Sequence, residues 1–263
     1  MPDRRSASST SLTASTLWHD LREALEREPR GDAVTPVKPG DADGRPPALD
    51  IVDAGGGTGG FAVPLAELGH RVVVVDPSPD SLASLARRAG EARVSDRVDA
   101  RQGDLSSLLD VVPAGSADVL VCHSVLEYAD DADEALAGAG AVLRPGGLVS
   151  IVVANRLAVV LARALAGRFE EAAVVLADPE GRAGQHDRAL RRFDADSLAA
   201  VAERAGMQVQ AVHGVRVFSD LVPGGVLDDP GRRVALQQLE SAASRDPALR
   251  VVASSLHLLA RRP

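Results

Sequence analysis

Leu49-Asp50-Ile51-Val52-Asp53-Ala54-Gly55-Gly56-Gly57-Thr58-Gly59-Gly60 joins a short apolar run to a run of glycines. The apolar residues read as a buried strand and the glycines as a tight loop opening onto a helix. Glycine lets a backbone turn sharply and approach a ligand where any Cβ would collide, and the first amides of the following helix offer unpaired donors. The combination predicts a site for a nucleotide-shaped cofactor. Gly55, Gly57 and Gly60 also match the dinucleotide spacing G-x-G-x-x-G, so the loop alone leaves NAD and S-adenosylmethionine both open.

Three surrounding features favour S-adenosylmethionine. Asp53, two residues before the first glycine, sits at the strand's carboxyl end, where it can meet a cationic amino-acid moiety but would repel a pyrophosphate. Asp76 closes the run Arg71-Val-Val-Val-Val-Asp76, roughly 20 residues past Gly55, a position suited to bonding ribose hydroxyls; NAD sites use such an acid too. The whole chain alternates strands and helices, ends in the apolar run Val251 to Ala260, and carries no second catalytic domain. That layout suits a self-contained methyltransferase.

At 263 residues and 45% hydrophobic content the chain can bury one large core, and an aromatic share of 2% predicts a core of small aliphatic side chains. The formal charge of −8 argues against indiscriminate polyanion binding. The single Cys122 excludes an internal disulfide, and no Cys/His cluster has zinc spacing, so no metal is expected. Arg4 and Arg5 precede a Ser/Thr-rich stretch with no apolar signal core, and no apolar span reaches membrane length. A cytoplasmic protein without a membrane partner is expected.

Along the chain, residues 1–14 read as a polar tail, Ser15 or Thr16 as the cap of a helix carrying Leu17, Leu21 and Leu25, and Pro29 to Ala48 as a Pro/Gly-rich linker. Strands are expected at Leu49–Asp53, ending at Asp76, at Arg97–Gln102, Ala117–Cys122, Gly147–Ala154, Met207–Phe218 and Val251–Ala260. Helices are expected from Gly60 to Leu68, from Pro79 (capped by Ser78) to Arg88, from Asp133 to Leu143, as one long stretch from Leu157 towards Leu176, from Asp194 to Ala205 and from Gly231 to Ser244. The continuous apolar character of the central strands predicts a mainly parallel sheet covered on both faces. The expected organisation is 1–48 as tail, helix and linker, then 49–263 as the catalytic domain, with a substrate-facing insertion at about 156–193.

Cys122-His-Ser-Val-Leu-Glu-Tyr128, Leu143-Arg-Pro-Gly-Gly147 and Gly214-Val-Arg-Val-Phe-Ser-Asp-Leu221, added to the glycine loop, resemble the tRNA 5-carboxymethoxyuridine methyltransferases from about Leu17 onward. The resemblance implies a Rossmann-like class I methyltransferase: an α/β fold with a seven-stranded, mainly parallel sheet, its last strand antiparallel, and helices on both faces. It implies S-adenosylmethionine as cofactor and esterification of a modified uridine's carboxylate at the tRNA wobble position. Carried over by residue, Gly55 and Gly56 would touch the cofactor, Asp76 the ribose, Gln102 and Gly103 the adenine side, and His123 the cofactor near the fourth strand. Two positions depart from the family pattern. Thr13 stands where the family has a cofactor-contacting arginine, and Asp178 to Arg188 is nearly neutral where the family has a lysine-rich run. Seven arginines still outnumber five acids between Arg156 and Arg192, a modest basic excess. The acidic net charge and the missing lysines keep a small-molecule O- or N-methyltransferase open as the alternative.

Methyl transfer from a sulfonium is an in-line displacement, so the protein must mainly hold the acceptor aligned and exclude water. A carboxylate acceptor, with a pKa of about 4, needs no base, whereas a hydroxyl or amine would call for a positioned His or Glu. Arg216 is the candidate for binding an acceptor carboxylate or phosphate; the plainer reading is an arginine paired with Asp220. His123 reads as a cofactor contact at a strand's carboxyl edge, or as a simple strand end. Glu127 and Tyr128 either line the pocket, or begin a loop and pack as a scarce aromatic. Asp104 can meet the adenine amino group or cap a helix, and Asn155 can orient substrate or satisfy a turn. Gly57 and Gly59 complete the cofactor loop. Cys122 reads as core and His257 as an ordinary strand residue.

Overall fold

The computed structural model describes Leu17, Asp20, Leu21, Glu23 and Ala24, and residues 48–263 other than 185, 186 and 188. The expectations for Arg4, Arg5, Thr13, the helix cap at Ser15 or Thr16, Leu25, His186, Arg188 and most of the linker fall outside these residues.

Seven strands form one sheet: β1 (Asp50–Ala54), β2 (Arg71–Asp76), β3 (Val98–Gln102), β4 (Ala117–His123), β5 (Leu143–Ala154), β6 (Gln208–Val215) and β7 (Ser255–Arg261). Their spatial order is β3-β2-β1-β4-β5-β7-β6. The pairs from β3 to β5 are all parallel, and β7 runs antiparallel to both β5 and β6. Six strands therefore end at the same edge. The order reverses between β1 and β4, the place where open α/β sheets bind ligands.

Alternating side chains divide the core into two layers. Val52, Ala54, Leu120, Cys122, Ile151 and Val153 pack with α4 (Ala132–Gly140) and α7 (Ala195–Arg204). Ile51, Val72, Val74, Val119, Val121 and Leu148 pack with α1 (Ala62–Glu67), α2 (Pro79–Glu91) and Leu21. The described N-terminal positions are helical, with Leu17 and Leu21 buried. Below the sheet, Arg144 joins Asp50 to Asp118, tying β1 and β4 at their amino ends.

Several boundaries differ from expectation, each for an identifiable reason. The stretch from Leu157 to Leu176 is two helices, α5 (Arg156–Leu165) and α6 (Phe169–Ala177), because Gly167 turns the chain at φ +72°. The helix from Ala132 stops at Gly140, and Leu143 belongs to β5. β6 stops at Val215, since Arg216 takes a left-handed φ of +57° and the amides beyond it bond to Glu240 instead of a strand. Val251 lies outside the sheet: Asp246 caps a short helix, α9 (Pro247–Arg250), and β7 starts at Ser255. A further short helix, α3 (Leu108–Val111), follows β3, and α8 (Pro230–Ala243) matches its expectation closely.

At α7, Asp194 accepts the Ser197 amide at 2.9 Å while the Ser197 hydroxyl accepts the Asp194 amide at 2.9 Å. This reciprocal cap starts the helix that carries Leu198 and Ala202 into the core. Asp194→Ala is expected to lower stability by about 1 kcal/mol, read as a lower urea midpoint with an unchanged denaturant slope.

Candidate functional site

The glycine loop crosses the sheet edge at the β1/β4 switch. Gly55, Gly57 and Gly59 have φ of +74°, +54° and +78°. A Cβ on Gly55 would overlap Val125, and one on Gly59 would overlap Leu85 of α2. Gly56 has no such φ, but its Cβ would lie 2.5 Å from Asp53 Oδ2 and 2.9 Å from a Val74 methyl. Gly60 meets nothing within 4 Å and needs no positive φ. The operative spacing is thus Asp53-x-Gly55-x-Gly57-x-Gly59, and the third glycine of the dinucleotide spacing has no structural role here. Arg88 of α2 holds the loop from outside, donating to the Thr58 carbonyl at 2.9 Å.

Asp53 lies buried directly under Gly56, and its Oδ2 has no hydrogen-bond partner. Burial, reinforced by the charge of Asp76, raises its pKa to about 7. Asp76, at the end of β2, accepts the Gly57 amide at 2.9 Å on Oδ2 and the Ser78 amide at 2.9 Å on Oδ1. It therefore fixes both the loop and the start of α2, with further lone pairs left on each oxygen. An orphaned acid beneath a floor free of side chains, beside a second acid aimed at the same loop, fits a ligand with a cationic or donor-rich part.

The remaining expected contacts follow along the same edge. Gln102 ends β3, where its amide donates to the Pro77 carbonyl at 3.3 Å. Gly103 packs between Val75 and Val111. Asp104 is exposed, and its Oδ1 accepts both the amide and hydroxyl of Ser107 at 2.9 Å; this closes the turn ahead of α3, whose N-cap is Ser107, so Asp104 does not cap the helix and its Oδ2 takes no part in the turn. His123 ends β4 with its ring 4.7 Å from Phe61, edge to face; Nε2 meets the Ser150 hydroxyl at 2.8 Å, and the buried Nδ1 has no partner. Burial, with the neighbouring His257, holds its pKa well below the ordinary value.

The acceptor-side candidates separate. Asn155 is 1% exposed; its amide donates to the Val251 and Ala253 carbonyls at 2.9 and 2.8 Å, and its Oδ1 accepts the Leu157 amide at 3.1 Å. Both ends are engaged, so Asn155 caps α5 and drops from the substrate candidates. Glu127 is buried, accepts the Ala154 amide at 2.7 Å, keeps Oε2 unpartnered, and is pushed up in pKa by burial. Arg216 faces Asp220 at 3.4 Å, as the plainer reading expected, and it also stands at the carboxyl edge on a left-handed residue. Tyr128 does not pack as an aromatic: it is 56% exposed. Cys122 is core, its thiol pushed up by burial to about 12.

Three features escaped sequence reasoning. Ser124, next to His123, has φ +58°, so two of the three left-handed non-glycine residues among the described residues lie on this edge. Buried Glu240 accepts the amides of Val217, Phe218 and Ser219 at 2.7–3.0 Å, building the turn that presents Arg216. Asp20, His213 and His257 bring three ligand-type atoms within 4.8 Å of one another, a grouping that linear spacing conceals. The pairing of β6 with β7 sets His213 directly opposite His257, which is the signal a correct register would have supplied.

Residues 52–151, from β1 into β5, match the family described as methyltransferase domain. Magnesium protoporphyrin IX methyltransferase from Synechocystis PCC 6803, solved with bound SAH, shares the fold at a TM-score of 0.61 and 15% identity, over all of this chain and 89% of that one. An S-adenosylmethionine-dependent methyltransferase from Mesorhizobium loti does so at 0.60 and 19%, over 95% of this chain and all of that one. The protein is a class I S-adenosylmethionine-dependent methyltransferase. Among proteins of known activity it resembles the tRNA 5-carboxymethoxyuridine methyltransferase of Escherichia coli, at 29% identity over 96% of this chain and 88% of that protein. The ubiquinone biosynthesis O-methyltransferase of Azorhizobium caulinodans is 37% identical, but over 45% of this chain and 46% of its own.

Asp53 carries a pH signature. Its folded pKa of about 7 lies above the unfolded value, so between about pH 4 and pH 7 the folded state binds the extra proton. Stability is unaffected by Asp53 below that window, falls as pH rises through it, and is fully reduced above it. Asp53→Asn is expected to raise stability at pH 8 by on the order of 1–3 kcal/mol and to change little at pH 4. Thermal or urea unfolding at both pH values checks this.

Proposed function

We propose that the protein methylates the carboxylate of 5-carboxymethoxyuridine at the wobble position of tRNA. The observation that carries this reading is the extent of the likeness. The tRNA relatives match across nearly the whole chain, including the segments after β5 that lie outside the shared methyltransferase domain, whereas the ubiquinone O-methyltransferases match less than half of it. The cofactor half of such a fold serves many acceptors, so the acceptor class is carried by the remainder.

In this reading Gly55, Gly56, Gly57 and Gly59 form the cofactor's floor. Asp53 takes its cationic amino-acid end, Asp76 its ribose, and Gln102, Gly103, Asp104 and His123 border the adenine and sulfonium sides. The bound cofactor supplies an electrophilic methyl group. Arg216 exchanges Asp220 for the acceptor carboxylate, a partner its planar fork matches through two parallel hydrogen bonds. The carboxylate arrives ionised, so no residue need remove a proton. Glu127, buried without a partner for Oε2, borders the acceptor from the β4 side. Residues 156–193 cover the acceptor, with Leu165, Phe169 and Leu176 exposed on α5 and α6.

The insertion's charges bear on how tRNA is held. Arg156, Arg163, Arg168, Arg182, Arg191 and Arg192 each pair with an acid, chiefly Asp194, Glu171, Asp178, Glu180 and Asp187. The arginine excess is thereby largely neutralised, which favours recognition of the modified base over phosphate contacts and also supports the second reading, a small-molecule acid as acceptor.

Arg216→Ala is expected to lower kcat/KM for methyl transfer by on the order of 10- to 100-fold, with S-adenosylhomocysteine affinity changed less than about threefold. Labelled-cofactor turnover on tRNA carrying the acid, against tRNA lacking it, tests the acceptor: equal turnover on both overturns the proposal. Binding of tRNA is expected to fall with a log–log salt slope shallower than about −2, a footprint of two or three phosphates at most.

A further inference from the structure

The face of the sheet under the N-terminal helix carries a polar row inside an otherwise aliphatic layer. His123 in β4 is opposite Val152 in β5, Val152 is opposite His257 in β7, and His257 is opposite His213 in β6. Ser150, two residues before Val152, shares that face. The Ser150 hydroxyl lies 2.8 Å from His123 Nε2 and 2.9 Å from His257 Nε2. On the far side, His213 Nδ1 is hydrogen-bonded to Asp20 Oδ2 at 3.1 Å, and His257 Nδ1 faces the same oxygen at 3.6 Å, just beyond hydrogen-bond length and with no other partner. Arg245 faces Asp20 Oδ1 at 3.7 Å. Ser150 and His257 are fully buried, and Asp20 nearly so.

Only one arrangement of protons satisfies this chain when its histidines are neutral. Asp20, flanked by Arg245 and two imidazoles, is a carboxylate and can only accept. The His257 nitrogen facing it, Nδ1, must then carry the ring proton, because a lone pair there would point at an anion. His257 Nε2 is left as an acceptor, so the Ser150 hydroxyl donates to it. Ser150 has one proton, already used, and its oxygen must accept from His123 Nε2–H. The proton of His123 is thus placed on Nε2, and Nδ1 is bare. That Nδ1 is the buried, unpartnered atom beside Phe61 at the sheet edge.

We propose that Asp20, His257 and Ser150 are positioning residues that hold His123 in the Nε2–H tautomer, so that its Nδ1 offers a neutral hydrogen-bond acceptor to an N–H or O–H donor of the bound cofactor. The donor's identity rests on the reading of His123 as a cofactor contact; the tautomer does not. Because Asp20 belongs to the N-terminal helix, docking of that helix on the sheet sets the polarity of the cofactor site. Asp20, His213 and His257 would otherwise be read as a metal site. Arg245 beside Asp20 places a positive charge there, and a metal at His257 Nδ1 would have to displace the ring proton that this arrangement puts at that nitrogen.

Two-bond proton–nitrogen correlation spectra of the ¹⁵N-labelled, ligand-free protein at neutral pH read the tautomers, with signals assigned by single histidine substitutions. His123 is expected as Nε2–H and His257 as Nδ1–H. Ser150→Ala is expected to give His123 a mixed tautomer population while leaving His257 as Nδ1–H, and to weaken S-adenosylhomocysteine binding about 3- to 10-fold; Ser150→Thr, which keeps the hydroxyl, should restore both. A proton on His123 Nδ1 in the unsubstituted protein, an unchanged His123 tautomer in Ser150→Ala, or one tightly bound metal per chain ligated by His257 would each overturn the proposal. Titration of His123→Ala with S-adenosylhomocysteine tests the cofactor contact separately, so failure of that reading is distinguishable from failure of the relay.

Discussion

A carboxylate pressed without a partner against the underside of a glycine loop is the constraint around which this molecule is arranged. Asp53 Oδ2 and Val74 leave no room for a side chain at position 56, and Val125 and Leu85 leave none at 55 and 59. The loop therefore lies too close to β1, β2, α2 and the turn after β4 to admit a side chain at these positions. A buried charge with no partner is unfavourable to folding. Its retention at the β1/β4 switch makes sense where a ligand's charge completes the pair, and the surrounding aliphatic layers supply the stability that tolerates it. The acid's raised pKa is the electrostatic expression of the same geometry.

The two faces of the sheet divide the remaining work. The face under α4 and α7 is Val, Leu, Ile and Ala with the buried Cys122 among them, and it serves packing. The face under α1, α2 and the N-terminal helix is aliphatic near β1 and β2 but carries Asp20, His123, Ser150, His213 and His257 towards β6. In a low-dielectric layer such groups are tolerated only when their donors and acceptors match along the chain, and a matched chain has one direction. That direction runs from the N-terminal helix to the cofactor edge, which links docking of the helix to the chemistry of a histidine on a distant strand.

The architecture was legible because its signals are local and periodic. Apolar runs bounded by Asp53 and Asp76 mark parallel strands, and Ser78-Pro79 and Asp194 mark helix starts whose caps the structure contains. Boundaries slipped where a non-local partner decides. Glu240, more than twenty residues away, captures the amides that end β6. Asp246 diverts Val251 into a helical turn. In the site, the glycines and both aspartates were legible because each is required by its own backbone or neighbours. The histidine row was not, since it exists only in the register of β4, β5, β7 and β6. Asn155 misled for a related reason: its place at the carboxyl edge was read correctly, while the carbonyls of residues 251 and 253 that occupy its amide arrive from a distant segment.

Electrostatics then bound what the acceptor side can do. An enzyme that grips nucleic acid by its phosphates keeps cations free, because counterion release scales with the charges neutralised. Here each described arginine from 156 to 192 has an acid within 3.4 Å, several of them exposed pairs that contribute little to stability. Those acids therefore act mainly by lowering the local field. An acceptor that brings one carboxylate gains little from such a surface and much from a single well-placed fork. Arg216 is presented by a turn that Glu240 locks through three amides, on a backbone conformation that few side chains adopt unaided. In the proposed reading the burden of acceptor discrimination falls on that turn and on the apolar surface of α5 and α6, with the net charge of −8 opposing rather than assisting the approach of a polyanion.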